Sequence, residues 1–342
     1  MTAALSPEAL AARMHEVLNR HLEEALVDVP EVAGLIRSYL DRPAKLIRPT
    51  LLAEAARAYG ARNEEAVLDL AAGTELLHLF ALLHDDRIDG IDRNNLRIAE
   101  GSADAALRVL AGDLVHTIAD GHLAETVIRN GLPLEVIRTV RDISAITVAG
   151  QARNMRFLRG EPTRTALYEL YDMKTGYYSF VAPLRIGALS ADADGGAALD
   201  RLGLRIGRAF QLADDAEDVD ALRTDAAVEV PRWEFNLVAV YLGETQPPQH
   251  ARRALSALLE GAGAGAGSEA RDARAGIDLS GLANWVAARL SELRGEIRQC
   301  TAELDLPAAG RERLSAFLGH LLDGLGGETG GAARSPSPPA SE

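Results

Sequence analysis

The chain has 342 residues, of which 47% are hydrophobic but only 4% aromatic, and it carries a formal charge of −14. That length buries a core as one large helical domain or two ordinary ones, and a composition rich in Ala, Leu and Arg favours helix over strand. The acidic balance excludes a nucleic-acid partner, whose phosphate backbone is met by clustered Lys and Arg.

The single cysteine, Cys300, cannot form an intramolecular disulfide, and the N-terminus shows no basic stretch followed by an apolar core. Both features read as a cytoplasmic protein. No window approaches the roughly 20 apolar residues of a membrane span, so no transmembrane segment is expected.

In chain order, 7–40 alternates apolar and charged residues at helical spacing and is interrupted at Asp41-Arg42-Pro43, which predicts a helix hairpin. A helix from Pro49 runs to Tyr59 and stops at Gly60, with proline at the start and glycine just past the end. The long apolar run 64–89 predicts a central helix, and 90–104 reads as a loop. Helical patterning returns at 104–128, 133–158, 163–190, 196–222, 233–243, 248–260 and 279–304. The alternating Gly-Ala run from Gly261 to Gly267 reads as a surface loop, and the Gly-rich, then Ser/Pro-rich stretch from Gly324 as a disordered tail. One all-α domain over 1–323 is the expectation, with 324–342 as the tail.

Two aspartate clusters stand out because each lies in an otherwise apolar helix. In Leu82-Leu83-His84-Asp85-Asp86-Arg87-Ile88-Asp89, the carboxylates of Asp85 and Asp89 are i and i+4 and share a helical face. In the second, Gln211, Asp214, Asp215 and Asp218 fall at i, i+3, i+4 and i+7. Either cluster alone reads equally well as a solvated helix face. Two of them in apolar helices point to Mg2+, which takes hard oxygen ligands and shares them with substrate phosphates. Lys45 and Arg48, i and i+3 at a helix entrance where backbone N–H groups favour anions, and Lys174 ahead of the second cluster, are candidate diphosphate ligands. His78 lies seven residues before Asp85, close to the same face.

These residues resemble the trans-isoprenyl diphosphate synthases, or polyprenyl synthetases, over about 40–245. The likeness rests on Lys45-Leu-Ile-Arg48-Pro49, Glu75-Leu-Leu-His78 leading into the first cluster, Ala111-Gly112-Asp113, Lys174-Thr175, and Phe210-Gln211 leading into the second. The resemblance implies a single-domain antiparallel helical bundle around a deep apolar pocket, with both aspartate clusters at its mouth across three Mg2+ ions. It further implies that Asp85, Asp86, Asp89, Asp214, Asp215 and Asp218 hold metal. Lys45, Arg48 and His78 would hold isopentenyl diphosphate, and Lys174 and Gln211 would line the side of the allylic prenyl diphosphate. Phe80 would be a pocket floor that keeps the product short, and the family implies a homodimer.

Two segments depart from the family pattern. The paired arginines that usually follow the first cluster are missing or displaced in Asp92-Arg93-Asn94-Asn95-Leu96-Arg97, where Arg93 and Arg97 are the candidate substitutes. Where the family carries a Gly-Lys segment after the second cluster, Val230-Pro231-Arg232-Trp233-Glu234-Phe235-Asn236 offers only Arg232 as a positive charge, and a family aspartate is replaced by Asn154. The first expectation is therefore a short-chain prenyl diphosphate synthase. The second is a class I terpene cyclase, or a prenyltransferase with a non-diphosphate acceptor, on the same fold. A third is a degenerate subunit regulating an active synthase.

Overall fold

The computed structural model describes residues 6–25, 29–42, 44–90, 98–99, 101–159, 162–224, 235–260 and 278–325. Among the described residues there is no strand. The helices are α1 (Pro7–Ala25), α2 (Pro30–Leu40), α3 (Ile47–Tyr59), α4 (Glu64–Asp89), α5 (Ala103–Asn130), α6 (Glu135–Asn154), α7 (Arg164–Tyr171), α8 (Ala182–Leu189), α9 (Gly196–Thr224), α10 (Asn236–Thr245), α11 (Pro248–Glu260), α12 (Leu282–Ala302) and α13 (Ala308–Asp323). The all-α expectation holds, and α4 has the bounds that its pattern predicts. The Gly-Ala run 261–267 and the tail from 326 lie outside the described residues.

Two differences from the predicted elements bear on function. Helix α3 begins at Ile47, two residues before Pro49, because Leu46 takes a left-handed conformation at φ 48° and turns the chain into the helix early. The predicted helix 163–190 is continuous as α7 and α8, but the ten residues between them, Asp172–Val181, are π-helical. Such segments cluster at functional sites.

The helices form two compact units. The first comprises residues 1–145, 178–200 and 305–310. Its centre is α4, capped by Asn63, whose side chain accepts from the Ala66 N–H at 3.1 Å, and closed by Gly90 at φ 72°. Every residue from Ala66 to Leu76 is buried against α1, α3, α5 and α8. Against the expectation that no window approaches a membrane span, α4, alone among the described helices, has the length and apolarity of one, with a mean hydropathy of 1.6 over 18 residues; 72% of that window is buried inside the protein, as in a core helix. Glycines permit the close approaches: a Cβ on Gly73 would meet the Leu123 side chain at 2.6 Å, and one on Gly187 of α8 would meet the Leu52 carbonyl oxygen of α3 at 2.5 Å. At the α1 end, buried Asp69 accepts from Arg13 and Arg129, beside a cavity of about 310 Å³.

The second unit comprises residues 146–177, 201–304 and 311–342. Here α10 packs on α7, α11 and α12. Helix α9 is tied to the π segment by a two-pronged ion pair, Arg208 donating to both oxygens of Asp172 at 2.7 and 2.6 Å. Asn154 accepts from the Asn236 amide at 2.7 Å, both residues buried, so a neutral pair stands where the resemblance implies an aspartate.

Candidate active site

Consecutive residues on an α-helix point about 100° apart, so the two members of an Asp-Asp pair cannot face the same way. In the first unit, Asp85 and Asp89 are half-buried near the C-terminal end of α4, whereas Asp86 is turned inward and is only 4% exposed. Tyr39 of α2 donates its hydroxyl to Asp86 Oδ2 and itself accepts from Arg108 Nη1 of α5. Arg108, 5% exposed, lies 3.9 Å from the same carboxylate oxygen and donates from Nε to Asp104 at 3.2 Å. Asp86 Oδ2 thus faces a buried phenol and guanidinium.

The second unit repeats the arrangement. Asp214 is exposed, while Asp215 accepts from the Tyr171 hydroxyl at 2.5 Å and from the Gln211 amide at 2.7 Å. Gln211 is fixed in turn, its carbonyl accepting from Thr175 at 2.5 Å, so it orients a carboxylate as well as lining the site. Burial pushes the Asp215 carboxyl above the usual carboxylate range, against the pull of the Tyr171 hydrogen bond and the charge of Lys174. Burial, and then the Asp215 charge, hold the Tyr171 phenol well above its ordinary value, so it stays a donor. The Asp218 side chain lies outside the described residues, as do Arg93, Arg97 and Arg232.

The cations of the first unit gather at the N-terminus of α3. Lys45 is exposed and Arg48 half-buried, and Leu46 provides no side-chain cap, so the first N–H groups of α3 add to the positive end of the helix. Arg48 donates from Nε to Ser179 at 3.1 Å and from Nη2 to the Tyr178 hydroxyl at 3.0 Å. The His78 ring lies 6.1 Å from that of Tyr178. Phe80 packs edge-on against His84 at 4.8 Å and against His116 of α5 at 4.6 Å.

A scan against family models matches polyprenyl synthetase over residues 29–226, more than half of the 342-residue chain. The chain belongs to the polyprenyl synthetase family. It is 31% identical over 245 residues to the geranylfarnesyl diphosphate synthase of Natronomonas pharaonis, covering 65% of this chain and 71% of that one. It is 29% identical over 214 residues to the farnesyl diphosphate synthase of Geobacillus stearothermophilus, covering 59% and 71%. In fold it is similar to the Corynebacterium glutamicum geranylgeranyl pyrophosphate synthase solved with isoprenyl diphosphate and magnesium, with a TM-score of 0.70, 24% identity, and 91% and 96% of the two chains covered.

The donor set of this polyprenyl synthetase fits Mg2+ in chemistry, since Asp85, Asp89 and Asp214 offer only hard carboxylate oxygens. Among the described residues no group of three or more His, Cys, Asp or Glu converges on one point, so ligand oxygens would have to complete any metal shell. Tyr39, Arg108 and Tyr171 were missed in the sequence, and Thr175 was read only as part of a motif. The contacts that tie them to the two clusters span 36 to 69 residues, beyond any periodic signal.

Glu75, one turn before His78, is 5% exposed, and its Oε2 has no hydrogen-bond partner among the described residues. Burial raises its carboxyl above the usual range, and the Arg48 charge pulls it back. A raised folded-state value contributes stability below the unfolded value that is lost as pH rises through the folded one. Glu75→Gln removes that titration. Thermal melts of both proteins between about pH 4 and pH 9 should show the variant gaining on the wild type as pH rises, and a constant gap would contradict a buried, perturbed Glu75.

Proposed function

We propose that this chain is a short-chain prenyl diphosphate synthase that joins isopentenyl diphosphate to an allylic prenyl diphosphate. The observation that carries the reading is the paired design of the two clusters, each presenting one aspartate outward and holding the next on a buried tyrosine, in a chain whose relatives are prenyl diphosphate synthases. Asp85, Asp89 and Asp214, with Asp218, would hold Mg2+, three ions by resemblance. When bound, Mg2+ supplies the positive charge that offsets these carboxylates and the leaving diphosphate.

Lys174, whose charge acts on Asp215 against the rise that burial imposes, adds a fixed positive charge for the allylic diphosphate. The allylic C–O bond breaks, the bonding pair leaves with diphosphate, and the resulting cation is attacked by the acceptor alkene. The departed diphosphate takes the proton that the new cation loses. Lys45, Arg48, the uncapped N-terminus of α3 and His78 hold the acceptor's diphosphate, with Arg93, Arg97 or Arg232 replacing the family's paired arginines. Acceleration then comes from positioning and electrostatic stabilisation. A cyclase is the second reading, and the displaced arginine pair favours it, since a cyclase needs no complete acceptor site.

Incubation with Mg2+ and geranyl, farnesyl or geranylgeranyl diphosphate, with and without isopentenyl diphosphate, separates the two by mass analysis. A longer diphosphate formed only with the acceptor is expected, and hydrocarbon or alcohol formed without it would establish the cyclase. Asp85→Ala or Asp214→Ala should lower turnover on the order of 10³-fold with an unchanged melting point; near-normal rates would sink the metal assignment. Phe80→Ala should lengthen the product if Phe80 is the floor, and an unchanged chain length would remove that role.

We also place the chain in the cytoplasm as a homodimer. Leu110, Leu114, Thr117, Gly121, Ala124 and Ile128 form an uncharged stripe along α5, of which Leu110 is 59% and Ile128 77% exposed. Light scattering should return twice the 36.4 kDa chain mass, and a monomeric mass would contradict the dimer.

A further inference from the structure

Arg48 is gripped by two neighbouring residues of the π segment. Its Nε and Nη2, which make up one donor edge of the planar guanidinium, are taken by Ser179 Oγ at 3.1 Å and the Tyr178 hydroxyl at 3.0 Å. The guanidinium carbon also lies 4.8 Å from the centre of the Tyr178 ring, within cation–π range. Ser179 is 2% exposed and Tyr178 half-buried, so the grip is made from inside the fold. The same tyrosine ring faces His78 at 6.1 Å with an interplanar angle of 34°.

An arginine side chain has five N–H donors in a rigid fork and much rotamer freedom on its stem. Holding the Nε–Nη2 edge fixes the plane and directs the other edge, Nη1 with the second hydrogen of Nη2, in a set direction. That edge has the spacing that meets two oxygens of one phosphate. We propose that Tyr178, assisted by Ser179, is a positioning residue that presents this edge of Arg48 to the acceptor's diphosphate and sets the tilt of the His78 ring beside it. The inference rests on the acceptor-side role of Arg48 and His78 proposed above. Its own content is that Tyr178 acts through Arg48 rather than on the ligand or on the allylic partner.

The experiment is steady-state kinetics on Tyr178→Phe, Arg48→Ala and the double variant, with isopentenyl diphosphate and the allylic diphosphate varied in turn and a thermal melt of each protein. Tyr178→Phe keeps the ring and removes one hydrogen bond to a charged group. It should raise KM for isopentenyl diphosphate about tenfold, leaving the allylic KM, the rate at saturating acceptor and the melting point nearly unchanged. In the double variant the effect of Tyr178→Phe should vanish, because Arg48 is no longer there to be positioned. If Arg48→Ala raises the acceptor KM but Tyr178→Phe does not, or if the two effects multiply, the positioning role is overturned while the acceptor assignment stands. If Arg48→Ala itself leaves the acceptor KM unchanged, the acceptor assignment fails and takes the inference with it.

Discussion

Adjacent carboxylates on one helix repel each other, and much of the surrounding structure answers that repulsion. In both clusters the answer is the same: the second aspartate rotates into the protein, where a tyrosine hydroxyl satisfies it. Asp86 takes Tyr39, which Arg108 supports from behind, and Asp215 takes Tyr171 and Gln211, which Thr175 supports. A phenol suits this place because it donates a strong hydrogen bond without adding a full charge, and burial keeps the Tyr171 proton on. The first aspartate of each pair is then left to face outward with a rigid neighbour beneath it. Placement of the carboxylates proposed for metal therefore depends on side chains from α2, α5 and α7.

The cationic end of the first unit is built on a second constraint, the unmet N–H groups at the start of α3. Leu46 adopts a left-handed conformation that only a minority of non-glycine residues accept, and no side chain closes the helix entrance. Local backbone economy is set aside at the point proposed to meet the acceptor's diphosphate. Beneath it, Glu75 is buried with an oxygen left unsatisfied, so polar strain is concentrated around Arg48 and His78.

The helices and both aspartate clusters were legible in the sequence because apolar periodicity and carboxylate spacing are local properties. The inward turn of Asp86 and the tyrosine contact of Asp215 were not read there, although neighbours on a helix cannot share a face. Nor was the identity of their partners, because Tyr39 and Tyr171 come from other helices and read in sequence as ordinary amphipathic residues. The π segment was equally hidden: the run from 164 to 189 is apolar at the right places whichever hydrogen-bond pattern it adopts. The early start of α3 escaped notice because Pro49 is a plausible first residue and nothing in Leu46 announces a left-handed turn.

The π-helical stretch also sets a rule for how this chain can change. Within ten residues it carries Lys174 and Thr175, which serve Asp215 and Gln211, and Tyr178 and Ser179, which hold Arg48. Relaxing the segment to an ordinary α-helix would change the turn per residue along it, and so the angle between the side chains at its start and those further on. The two sets of side chains could not then both meet their partners. Substitutions along this stretch are local events, but its hydrogen-bond pattern sets the angle between Lys174 and Thr175 near its start and Tyr178 and Ser179 further on.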